Sequence, residues 1–129
     1  MTLRIALLFL LIGLTACRNA PNEDQGTVNG EVISIADGDT FTMLLNDATT
    51  LKVRLTSIDC PERKQPYSNV ARKFLSDAIF GRSVNVVVDS MDKYGRALGW
   101  VYFDDKNINK ELLNNLANGI ILYGYFKVF

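Results

Sequence analysis

Three short polar segments each stand at the end of an apolar, strand-like run: Asp37-Gly38-Asp39-Thr40, Arg54-Leu55-Thr56-Ser57-Ile58-Asp59-Cys60-Pro61-Glu62 and Asp92-Lys93-Tyr94-Gly95-Arg96. Between them they offer carboxylates of the kind that hold a hard cation and two arginines of the kind that hold a phosphate. The chemistry open to such a set is metal-assisted cleavage of a phosphodiester. Taken singly, the segments have plainer readings. Asp-Gly is a tight-turn dipeptide, Pro61-Glu62 leads from a loop into a helix, and Tyr94-Gly95-Arg96 is a turn with an exposed base. Only the combination favours chemistry.

What the chain lacks narrows the field further. It contains no histidine, which removes Ser-His-Asp and Cys-His hydrolases, phosphohistidine intermediates and His-ligated zinc. Its two cysteines, Cys17 and Cys60, are too few for a thiolate metal cluster. Hydrolysis must then run on carboxylates, arginines, lysines or tyrosines, with a metal to generate the nucleophile. The 14 basic and 14 acidic residues cancel. No global positive field draws in a nucleic acid, so binding has to rely on local charge.

The segments must be positioned by the runs between them. Val28 to Ala36, Phe41 to Leu45 and Leu51 to Ser57 read as a three-stranded meander with a turn at Asn46-Asp47. Leu51, Val53 and Leu55 alternate with Lys52 and Arg54, which sends Arg54 to the face opposite the leucines. Pro61 breaks the strand. From about Ser68, Val70, Ala71, Phe74, Leu75, Ala78 and Ile79 recur at helical spacing until Gly81. Val84, Val86 and Val88 mark a fourth strand and Ala97 to Phe103 a fifth, and a second helix from about Asn109 to Asn118 would bury Leu112, Leu113 and Leu116. The expected fold is mainly β with helices: an OB-fold five-stranded Greek-key barrel, a helix between strands three and four, and a C-terminal helix. With 129 residues, 48% of them apolar, the chain has room for one such domain.

The N-terminus reads as an address. Arg4 precedes an apolar stretch, Ile5 to Leu14, that is short for a bilayer span, and Leu14-Thr15-Ala16-Cys17 follows at once. This resembles the lipobox of bacterial lipoproteins, which implies lipidation at Cys17. The expected division is a signal peptide over 1–16, a polar, turn-rich tether over 17–26 and the domain over 27–129. The product would be a membrane-anchored protein of the cell envelope or periplasm. A plain secretory signal or an uncleaved anchor would also export the domain. Loss of Arg4 leaves 13 basic against 14 acidic residues, a net charge of about −1.

With these motifs in this order, the chain resembles a staphylococcal-nuclease-like (thermonuclease) domain from about Thr27 to Tyr125. The resemblance implies Ca2+ held by Asp39, Asp59 and the backbone carbonyl of Cys60, with Glu62 as general base and Arg54 and Arg96 on the phosphate. It implies nucleotide contacts from Lys93 and Tyr94. Tyr123 or Tyr125 would add a stacking or hydroxyl contact, although packing is the plainer role for both. The implied partners are single-stranded or flexible DNA and RNA, cut with little sequence preference, and no protein partner is implied. The residue types suit these roles. Calcium takes oxygen ligands rather than thiols, and arginine presents a planar fork that strengthens as negative charge grows on phosphorus oxygens. Because arginine stays protonated, the donor to the leaving oxygen is a water or Tyr94, a choice the sequence leaves open.

Two departures accompany the likeness. Cys60 stands where the family usually has a small residue or threonine. Family members generally continue into a further helix, whereas this sequence ends at Phe129, so the expected domain lacks that last helix. The alternative to an enzyme is therefore a catalytically weak or inactive OB module that binds nucleic acid.

Overall fold

Alternation of apolar and polar residues builds five long strands around one core. The computed structural model describes residues 26–120, with side chains to Asn115, and the backbone of 127–128. The strands are β1 (Thr27–Asp37), β2 (Thr40–Leu45), β3 (Thr50–Leu55), β4 (Ile58–Asp59), β5 (Ser83–Met91), β6 (Ala97–Phe103), β7 (Lys106–Asn107) and β8 (Lys127–Val128). Helix α1 (Ser68–Ile79) lies between β4 and β5, and α2 (Ile108–Ile120) follows β7. The main sheet runs β3-β2-β1-β5-β6-β7. It closes on itself where β3 pairs with β6 in parallel, Val53 opposite Ala97 and Leu55 opposite Gly99. The result is a five-stranded mixed barrel with two helices, the expected OB-fold, and closure hides strand edges that would otherwise stay open.

Inward-facing Val32, Phe41, Met43, Val53, Leu55, Val84, Val86 and Val101 fill the barrel, and Leu75, Ile79 and Leu112 from the helices pack with them. Register shifts between Val32 and Ser34 and between Ile35 and Asp37 bend β1, which lets one strand pair with β2 along its length and with β5 at its start. The C-terminal end of α1 is tied to that strand. Gly81, at φ 70°, donates its N–H to the Val32 carbonyl at 2.9 Å, and the Val32 N–H donates to the Arg82 carbonyl at 3.0 Å.

Several expectations change in detail. Val70 belongs to the apolar pattern of α1, yet it is 55% exposed. The buried stripe is Ala71, Leu75 and Ile79, one narrow row at four-residue spacing, and Val70 in the first turn stands off that row. The third strand stops at Leu55 rather than Ser57, because the chain turns at Thr56-Ser57 with Ser57 at φ 61°. Ile58 and Asp59 then pair with Val128 and Lys127 in a separate two-stranded sheet. Helix α2 runs slightly beyond 109–118 at both ends. Leu112 is buried and Leu113 half-buried, while the side chain of Leu116 lies outside the described residues.

Candidate active site

The β1–β2 hairpin delivers the first carboxylate. Asp37 pairs with Thr40 across a tight turn made by Gly38 and Asp39. Gly38 is there for closeness: a Cβ at this position would meet the Ala71 Cβ at 2.5 Å and the Cys60 sulfur at 3.2 Å. The turn thus packs directly on α1 and leaves Asp39 only 7% exposed. The Thr40 hydroxyl donates to Asp39 Oδ1 at 3.0 Å and the Cys60 N–H donates to Oδ2 at 3.2 Å. Its backbone carbonyl accepts the Leu55 N–H at 2.8 Å. A carboxylate this buried needs such donors and a counter-charge.

Arg54 supplies the counter-charge. It sits opposite Thr40 in the β2–β3 register, with its neighbours Val53 and Leu55 buried and its own side chain on the outer face, as the alternation in the sequence requires. Its Nη2 donates to Asp59 Oδ1 at 3.1 Å, and its Nε lies 3.8 Å from Asp39 Oδ2. The turn at Thr56-Ser57 brings Asp59 back beside the arginine. Two carboxylates therefore converge on one guanidinium.

The loop between β5 and β6 presents the second arginine. Asp92 Oδ1 accepts the N–H groups of Tyr94 and Arg96, both at 2.9 Å, and Oδ2 accepts Arg96 Nε at 2.7 Å. Burial alone would raise the Asp92 pKa, but the Arg96 and Tyr94 donors and the Arg96 charge outweigh it and hold the carboxyl below its usual range. Because the clamp uses Nε, both terminal nitrogens of Arg96 have no hydrogen bond among the described residues. The Tyr94 ring, 71% exposed, lies under Arg96 at 5.4 Å and Lys93 at 5.0 Å.

These pieces share one cleft of about 450 Å3, lined among others by Asp39, Arg54, Asp59, Cys60, Glu62, Tyr94 and Arg96. Lys93 touches it only through the Tyr94 ring. Tyr123, Tyr125 and Cys17 lie outside the described residues. Glu62 is exposed, and its carboxylate has no hydrogen bond or ion pair among the described residues; its backbone N–H donates to Gln65 Oε1 at 2.9 Å.

The donor set fits a hard cation. Burial, and then the charges of Asp39 and Asp59, push the Cys60 thiol well above its usual pKa, so it remains a thiol and no thiolate ligand is on offer. Among the described residues no group of three or more His, Cys, Asp or Glu side chains is arranged to hold a metal. The carboxylates on offer are Asp39 and Asp59, and further ligands would have to be carbonyl or water oxygens, a mixture calcium-type ions accept.

Four residues that position the site carried no role in the sequence reading. Thr40 and Asp92 had a local signal, since Asp and Thr hydroxyls and carboxylates habitually bond nearby backbone. Arg63 binds Asp37 Oδ1 through Nε at 3.1 Å and the Ala36 carbonyl at 3.0 Å. Asn109, 1% exposed, donates to the carbonyls of Thr56 at 3.1 Å and Gly99 at 3.2 Å and accepts the Val101 N–H at 3.0 Å. It staples the end of β3 to β6 where the barrel closes. Nothing local in the sequence marks it.

Comparison with known proteins bears on the whole arrangement. The family model described as staphylococcal nuclease homologue matches residues 52–123, more than half of the chain. The chain belongs to this family. The matched span holds Arg54, Asp59, Glu62 and Arg96, while Asp39 precedes it. A Haemophilus influenzae protein named "Uncharacterized endonuclease" is 35% identical over 108 residues, 84% of this chain and 57% of its own length. "Micrococcal nuclease" of Shigella flexneri is 47% identical over 73 residues, 57% of this chain and 41% of its own. "Protein ParB" of Escherichia coli is 41% identical over 85 residues, 66% of this chain and 45% of its own. The chain thus spans about half the length of these curated relatives.

Proposed function

We propose that this chain is a calcium-dependent nuclease that hydrolyses phosphodiester bonds of single-stranded or flexible DNA and RNA with little sequence preference. The observation that carries the reading is the convergence of Asp39, Asp59, Glu62, Arg54 and Arg96 on one cleft. Asp39, Asp59 and the Cys60 carbonyl would hold the ion, which when bound orients the phosphate and acidifies a water. Glu62, exposed and unengaged, takes the proton from the attacking water. The terminal nitrogens of Arg96 and the guanidinium of Arg54 bind the phosphate oxygens, and they bind more strongly as charge accumulates in the transition state. The exposed Tyr94 ring supports a base by stacking, which every base tolerates.

One observation favours the second reading, a binding module without turnover: Arg54 already engages both carboxylates, so a cation must compete with it. The decisive experiment incubates the purified chain with single-stranded DNA, first with calcium and then with chelator. Calcium-dependent cutting is expected, and Glu62→Gln should lower turnover about 10²- to 10⁴-fold. Binding without cutting in wild type would establish the module instead. Undiminished turnover in Glu62→Gln removes that residue as the base.

Leu14 to Cys17 further supports export as a lipoprotein, with Cys17 acylated. More than one acyl chain anchors stably where a single chain is marginal. Outside the cytoplasm, a weak calcium site of about 10⁻⁴ to 10⁻³ M affinity can fill. Mass spectrometry of the N-terminal peptide from cells should show acylated Cys17, lost in Cys17→Ser. An unmodified chain released into the medium rules out the anchor.

A further inference from the structure

The cleft is smaller than another depression among the described residues. The other, about 530 Å3, follows the seam between β1 and α1 and includes Arg72, Lys73 and Phe80 in its wall. A third, about 270 Å3, joins them: it shares Asp37, Pro61 and Arg63 with the cleft, and Asn69 and Arg72 with the seam. One groove therefore leaves the cleft at Arg63 and follows α1 to its end. From Asn69 to Phe80 the helix rises roughly 16 Å at about 1.5 Å per residue. That is the length of about five stacked nucleotides at about 3.4 Å each.

The groove is positive although the charges of the whole chain sum to zero. Arg63, Lys64, Arg72 and Lys73 line it against Asp37 and Asp77. Arg63 pairs with Asp37 at 3.1 Å and Lys73 with Asp77 at 2.6 Å, exposed pairs that a phosphate can outcompete. Lys64 has no acidic partner among the described residues, and Arg72 donates to the Ile35 carbonyl at 3.4 Å. At the far end the Phe80 ring is 54% exposed, an aromatic face open to a base.

We propose that this groove binds the single-stranded flank of the polynucleotide whose scissile phosphate occupies the cleft, with Lys64, Arg72 and Lys73 on successive phosphates and a base stacked on Phe80. The inference rests on the nuclease reading and deepens it: the preferred substrate is a strand of several nucleotides, not a dinucleotide. Charge complementarity and continuity with the cleft name the occupant.

The test measures binding by fluorescence anisotropy in chelator, where the strand stays intact, using thymidine oligomers of about four and about twenty nucleotides. The variant Lys64→Gln/Arg72→Gln/Lys73→Gln changes exposed side chains and spares the cleft. It should bind the long oligomer about tenfold more weakly, and lower the slope of log affinity against log salt by about 2. Binding of the short oligomer should not change. Phe80→Ser should weaken the long oligomer but not an abasic strand of equal charge. Equal affinity and equal salt slope for wild type and the triple variant on the long oligomer overturn the groove. Cleavage with calcium is scored separately: if wild type leaves both oligomers uncut, the nuclease reading falls, while the anisotropy still decides the groove.

Discussion

Replacing Asn109 by alanine tests how the barrel holds Arg54 in place. The substitution removes three hydrogen bonds at once, but the three partners do not suffer equally. The Val101 N–H lies in a fully buried residue and is left without an acceptor, a loss of about 1–3 kcal/mol. The Thr56 carbonyl is only partly buried, so water recovers some of its bond and the loss is nearer about 1 kcal/mol. The Gly99 carbonyl keeps the Thr56 N–H at 3.0 Å and loses least. The expected sum is about 2–4 kcal/mol out of a net stability of about 5–15 kcal/mol. The only tryptophan, Trp100, neighbours Val101 on β6 and reports unfolding in urea. At a slope of about 2 kcal/mol per molar, the midpoint should fall by about 1–2 M with the slope unchanged. Asn109→Asp keeps the acceptor for Val101 but sets a charge against two carbonyls, so its defect should shrink as pH falls and the new carboxyl protonates and regains a donor. A loss below about 1 kcal/mol for Asn109→Ala would refute the account of Asn109 as the staple of the barrel seam.

Arg54→Lys should reduce kcat/KM nearly as much as Arg54→Ala, because holding two phosphate oxygens from separate nitrogens needs the guanidinium fork; recovery of most of the rate by lysine would show that charge alone suffices. Asp92→Asn should free Arg96 and lower turnover, read as kcat at saturating substrate. Because the Asp92 pKa is depressed in the fold, its stabilisation is complete above the ordinary value of about 3.9 and lost as pH falls through the lower folded-state value. The stability gap between wild type and Asp92→Asn should therefore be flat from about pH 5 to 8 and close in stronger acid, as checked by urea midpoints across pH. Gly38→Ala should cost about 1–3 kcal/mol by overpacking against Ala71 and lower activity by shifting Asp39; full stability by urea unfolding would contradict the close approach of the hairpin to α1.

The sequence by itself determined what is local. Period-two alternation along 51–55 placed Arg54 opposite the core, helical spacing located α1, and the three polar motifs named Asp39, Arg54, Asp59, Glu62 and Arg96, which line the cleft. Each of these follows from neighbours a few positions apart, which share the geometry of one strand, helix or turn. Tertiary structure alone decided the rest. The parallel pairing of β3 with β6, the N–H of Cys60 bonding Asp39 across 21 positions and Asn109 reaching Thr56 across 53 join residues that no local period relates. Val70 shows the same limit from the other side, since the repeat marks it as apolar but only the contact line between α1 and the barrel decides that it stays exposed. Contacts between distant segments exist only after the barrel has closed, because closure is what brings separate stretches of chain within bonding distance.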